Sequence, residues 1–60
     1  MGMSQTDKYY EIMGRLSGMK IPPHIWNFIV MLPKASVVSY FEDCLEPSEV
    51  LERYEDLEEI

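Results

Sequence analysis

The sequence predicts an all-α fold, a compact bundle of about four short helices, and three observations carry that expectation. Prolines and a glycine cut the chain into segments of helical length. Three of those segments place apolar side chains at helical spacing, at 100° per residue. Prolines also stand where helices tolerate them, at a first turn or just past an end.

The first segment runs over about 6–18. Ser4, Thr6 and Asp7 are N-cap residue types, and Gly18 suits a helix C-terminus. Tyr9, Ile12, Met13 and Leu16 share one face, opposite Asp7, Lys8, Glu11 and Arg15. Gly14, inside this helix, costs about 1 kcal/mol relative to alanine.

The second segment is IPPHIWNFIVMLP, residues 21–33, in which His24 and Asn27 are the only polar side chains. Pro23 fits a first helical turn, and Pro33 ends the helix because the residue before a proline is pushed out of the α region. A buried strand is the rival reading, since Ile25, Trp26, Phe28, Ile29 and Val30 all favour strands. Proline placement and helical neighbours favour helix. An almost wholly apolar helix is expected to be central or an interface. Three short helices leave part of it uncovered. Ile25, Trp26, Phe28, Ile29 and Met31 are therefore expected to pack against a second copy of the chain, two-fold homodimers being the commonest oligomers.

The third segment, 36–45, places Val37, Val38, Phe41, Cys44 and Leu45 on one arc and Ser36, Ser39, Glu42 and Asp43 on the other; Glu46-Pro47 breaks it. The fourth, about 47–59, gathers Val50, Leu51, Tyr54 and Leu57 on one face and Glu49, Glu52, Glu55, Asp56 and Glu59 on the opposite one. Glu58 and Glu59 oppose the dipole at its C-terminus, so its last turn is expected to fray.

Residues 1–60 read as one small domain, which buries only about 60% of its unfolded surface and is marginal alone. Residues 1–5 are expected to be unstructured or expression-derived: MGMSQT matches a myristoylation pattern at Gly2, but a Met-Gly placed ahead of Met3 is the simpler reading. The lone Cys44 rules out an internal disulfide and fits a reducing, cytoplasmic compartment. No run of about 18 apolar residues predicts a membrane span.

Net charge is −6, and it is unevenly distributed. Residues 1–41 set Asp7 and Glu11 against Lys8, Arg15, Lys20 and Lys34; the acidic helical portion, 42–60, sets nine acids against Arg53 alone. Such a field repels nucleic acid and favours basic surfaces.

Little here predicts catalysis. Cys44 lies on an apolar arc, where cysteine acts as a small hydrophobe, and acidic neighbours disfavour its thiolate. His24 sits at a helix start, where the dipole disfavours imidazolium. One cysteine and one histidine build no zinc site, and the acidic run lacks the glycine and spacing of a calcium loop, so no metal or other cofactor is expected. A helix-turn-helix regulator is the alternative, with LPKAS as the turn. Its recognition helix would present Ser36, Ser39, Glu42 and Asp43, which offer no cation or amide to phosphates or base edges.

KIPPHIWNFI is similar to the Lys-Ile-Pro…Trp-x-Phe-Ile ending of the Hha/YmoA nucleoid-modulator family, small helical proteins that bind the H-NS nucleoid protein. Lys20, Ile21, Pro22, Trp26, Phe28 and Ile29 are the matching positions. The similarity covers about ten of the sixty residues and lies mid-chain rather than at a C-terminus. The remainder departs from that family, and no site is carried over.

The functional expectation is a small, acidic, non-enzymatic protein-interaction module. Glu42, Asp43, Glu46, Glu49, Glu52, Glu55, Asp56 and Glu59 form the face offered to a partner with a basic surface. An inhibitor or adaptor of the kind phages and bacteria direct at nucleic-acid-handling host proteins fits this size and charge. No membrane or direct nucleic-acid contact is expected.

Overall fold

Ser4 is where the chain becomes regular. Its Oγ accepts a hydrogen bond from the Asp7 N–H at 3.1 Å, satisfying one of the donors that a helix N-terminus leaves orphaned. In the computed structural model, which describes residues 2–59, four α-helices follow: α1 (Gln5–Ser17), α2 (Pro23–Met31), α3 (Lys34–Phe41) and α4 (Pro47–Glu58). Ser4 and Gln5 thus belong to the α1 start, within the stretch expected to be unstructured; Met1 lies outside the described residues. Gly18 ends α1, its N–H donating to Arg15 O and that of Met19 to Leu16 O, with Gly18 at φ −82° rather than in a left-handed conformation.

Proline sets the next boundaries. Pro22 and Pro23 open α2. Leu32, ahead of Pro33, is extended at φ −78° and ψ 148°, as the pre-proline clash requires. Pro33 then serves as N-cap of α3, so a single proline closes one helix and starts the next.

The core comprises Ile12 and Leu16 from α1, Ile25 and Ile29 from α2, Val37, Val38 and Phe41 from α3, Val50 from α4, and Cys44 from the α3–α4 connection. Two expectations are corrected. First, α3 rather than α2 is central: it packs against both α1 and α4 and supplies three buried side chains. Second, α3 stops at Phe41, four residues before the end the apolar arc implied. Cys44 is buried from a turn, not from a helix, and Leu45 is exposed.

α2 is anchored differently. Ile25 and Ile29 face inward and are fully buried, so neither is open to a second chain. Phe28 and His24 meet the Tyr54 ring of α4 edge-on, at centroid distances of 5.1 and 5.7 Å, an arrangement the ring quadrupoles favour. Trp26 is half-buried, while Val30 and Met31 point outward, Met31 with 83% of its surface exposed.

Candidate protein-docking surface

The acidic surface is built on the connection between α3 and α4, which is closed by a turn bond from Cys44 N–H to Phe41 O at 3.1 Å and held further by side chains. No residue in it is glycine, and none has positive φ. The last carbonyls of a helix have no internal partner. Here two arginines supply them. Arg15 reaches over from α1, and its Nη1 donates to Glu42 O at 3.1 Å and to Cys44 O at 3.0 Å. Arg53 reaches back from α4, and its Nη1 donates to Tyr40 O at 2.6 Å. Its Nη2 pairs with the Asp43 carboxylate at 3.4 Å. Cations at a helix C-terminus also oppose its negative dipole end.

Glu49 completes the arrangement from the other direction. Its Oε1 accepts from the N–H groups of Leu45 and Glu46, each at 3.1 Å, closing a capping box at the start of α4. The three side chains together fix residues 40–46 between α1 and α4.

All eight carboxylates expected on the partner-binding face are exposed, but they are not equivalent. Asp43 is paired with Arg53, and Glu49 is engaged as a cap. Glu42 lies apart, beside Lys8 and Glu11 of α1. Among the described residues, Glu52, Glu55, Asp56 and Glu59 make no ion pair or side-chain hydrogen bond; the first three lie on the outward stripe of α4 and Glu59 is its C-cap. Glu58, which was not assigned to that face, accepts the Tyr54 hydroxyl at 2.6 Å. That bond raises the Tyr54 pKa, with a smaller contribution from desolvation. Asp43, Cys44, Glu49, Glu52, Arg53 and Asp56 line an open groove of about 170 Å³.

No protein family, curated protein or solved structure matches the chain. Function is therefore read from the surface itself.

Cys44 is buried, its Sγ 3.9 Å from Tyr40 O. Burial pushes its thiol pKa up. Asp43 and Glu49 add to the rise, and Arg53 and Arg15 oppose it. A nucleophile needs the opposite environment. His24 is engaged with Tyr54 across the α2–α4 contact. Among the described residues, no group of three His, Cys, Asp or Glu side chains converges for a metal ion, and no helix is long and apolar enough to cross a membrane.

The exposed side of α3 carries Lys34, Ala35, Ser39 and Tyr40. Lys34 lies over the Tyr9 and Tyr10 rings, 5.7 Å from each centroid. Both arginines within 1–59 are occupied by carbonyl oxygens. What a DNA-reading helix needs, free cations and amides on one face, is not gathered on this one.

Two features of the surface were missed by sequence reasoning. Leu45 and Leu51 are exposed beside the acids, 66% and 37% respectively, and with Tyr40 they give the acidic surface an apolar margin. The assignment of Arg15 to a solvent-facing stripe concealed its reach to the distant turn. Glu46-Pro47-Ser48-Glu49 did carry a readable signal, since a glutamate three residues into a helix opened by proline is the capping-box spacing.

Proposed function

We propose that this chain is a small, non-enzymatic interaction module that docks a basic protein surface through the outward carboxylates of α4. The observation that carries the reading is the division among its charges. Arg15 and Arg53 are engaged with backbone oxygens, whereas Glu52, Glu55, Asp56 and Glu59 remain unpaired among the described residues. Spaced carboxylates along a helix resemble a track of phosphates. A protein that grips nucleic acid is thus the natural class of partner, and an inhibitor or adaptor of phage or bacterial origin the natural setting. Charge sets encounter rate and selectivity; affinity comes from apolar anchors, for which Tyr40, Leu45 and Leu51 are placed.

The experiment is a comparison of the wild-type chain with an E52K/E55K/D56K variant in capture of binding proteins. The reading expects a protein retained by wild type, released by moderate salt and lost with the variant. Retention of the same proteins by both chains, indifferent to salt, would return the acidic face to a solubilising role.

Self-association is the second part of this proposal, through the outer strip of α2 and centred on Val30 and Met31, with Trp26 at its flank. Stable interfaces bury about 800 Å² per partner, and two side chains provide only part of that. A weak, concentration-dependent dimer is the expected form. Sedimentation that showed a strict monomer up to high micromolar concentration would remove it.

A further inference from the structure

The connection at residues 42–46 is neither helix nor strand, is hydrogen-bonded to side chains of α1 and α4, and carries a buried thiol of its own, Cys44. Tyr40, Glu42 and Cys44 carbonyls depend on Arg15 and Arg53, and the Leu45 and Glu46 N–H groups depend on Glu49. The two arginine side chains are themselves only partly covered, at 28% and 34% exposure, so water competes for their bonds. The core residues on either side, Phe41 and Val50, are fully buried and do not rely on those bonds.

We infer that residues 42–46 form an arginine-latched flap that opens locally, lifting its own Cys44 out of the core while the four helices stay packed. Local openings of this kind draw on segments with few buried apolar contacts and exposed hydrogen bonds. Residues 42, 43, 45 and 46 are all exposed, and only Cys44 is seated in the core. Cys44 also lines the open groove with Asp43, Glu49, Arg53 and Asp56, which gives a small neutral molecule a route to the thiol when the flap lifts. The latch is asymmetric. Arg53 holds the segment locally, from ten to thirteen residues away in sequence, whereas Arg15 ties it to α1 across twenty-seven to twenty-nine. Releasing Arg53 frees one end of the flap; releasing Arg15 also loosens its connection to α1. The inference is independent of what the acidic face binds.

Labelling of Cys44 with a neutral thiol reagent, followed as a function of low denaturant concentration, tests it. A neutral reagent avoids repulsion by the surrounding carboxylates. In the wild-type chain, labelling is expected to be slow but nearly independent of denaturant, the signature of a local opening that exposes little surface. R53M, which keeps the aliphatic stem, is expected to label about tenfold faster, and R53K to fall between, since one ammonium cannot hold both Tyr40 O and Asp43. Amide exchange at Ile12, Leu16 and Val38 is expected to stay unchanged in R53K, which guards against R53M simply unfolding. The inference is overturned if wild-type labelling has the denaturant dependence of global unfolding. It is equally overturned if R53K and R53M label at the wild-type rate, or if core amides accelerate in step with the thiol.

Discussion

α2 and α3 are of nearly equal length, nine and eight residues, and the more apolar of the two is the less buried. α2 has only His24 and Asn27 as polar side chains, yet it seals just Ile25 and Ile29 into the core and leaves Val30 and Met31 in solvent. α3 carries Lys34, Ser36 and Ser39, yet buries Val37, Val38 and Phe41. The difference lies in neighbours. α3 is flanked by α1 and α4 and presents its apolar side chains at the spacing those helices require; α2 rests on the assembly by one face. Hydrophobic content measures how much a helix could bury, and placement decides how much it does.

The largest test of that contrast removes the keystone of α3. Phe41→Ala deletes a fully buried ring and is expected to cost about 3–5 kcal/mol. At about 0.05–0.15 kcal/mol per residue, a chain of this length has a total stability of the order of 3–9 kcal/mol. Thermal or urea unfolding should therefore find this variant with at least about a third of its stability gone, and unfolded at 25 °C if the parent lies at the low end of that range.

A second, intermediate effect separates the two helices by pH. The pKa values of Cys44, which closes the core below α3, and Tyr54, which seats α2 on α4, are both raised, from 9.0 and 10.0. The protonated forms are thus favoured by the fold. Their contribution is complete below those ordinary values and is lost as pH rises through the folded ones. Stability should decline above about pH 9. Cys44→Ala should flatten the lower part of that decline and Tyr54→Phe the upper part, as read from urea midpoints across the alkaline range. Parallel curves for all three chains would detach these groups from the contacts assigned to them.

The smallest effect belongs to the outer side of α2. Met31→Gln changes an exposed side chain and should alter unfolding free energy by less than about 0.5 kcal/mol, while reducing any self-association. A loss comparable to a core substitution would mean that Met31 is covered in solution.

Much of this architecture is readable along the chain. Pro23, Pro33 and Pro47 mark helix boundaries because their fixed φ and missing N–H act locally, Gly18 because it is a poor helix former, and Ile12, Leu16, Val37, Phe41 and Val50 declare the core through spacing. The end of α3 is not readable in this way. Periodicity carried Phe41, Cys44 and Leu45 on one arc, but the chain leaves the helix where arginines from distant positions satisfy its carbonyls. Sequence spacing contains no trace of that hydrogen bonding. The acidic face was legible as composition, since nine acids within 42–60 require no geometry to notice. Its internal division was not. Only the fold reveals that Asp43, Glu49 and Glu58 serve the protein's own structure, while Glu52, Glu55 and Asp56 on the outer stripe of α4 stay unpaired among the described residues.

The central claim is that α3 holds the molecule together and α2 is attached to it. Residue-resolved amide exchange at neutral pH tests it most directly. The account predicts that Val38 and Phe41 amides exchange only through global unfolding, with α2 amides such as Val30 exchanging through smaller openings at lower free energy. Protection in α2 equal to or greater than that in α3 would contradict it and restore α2 as the centre of the fold.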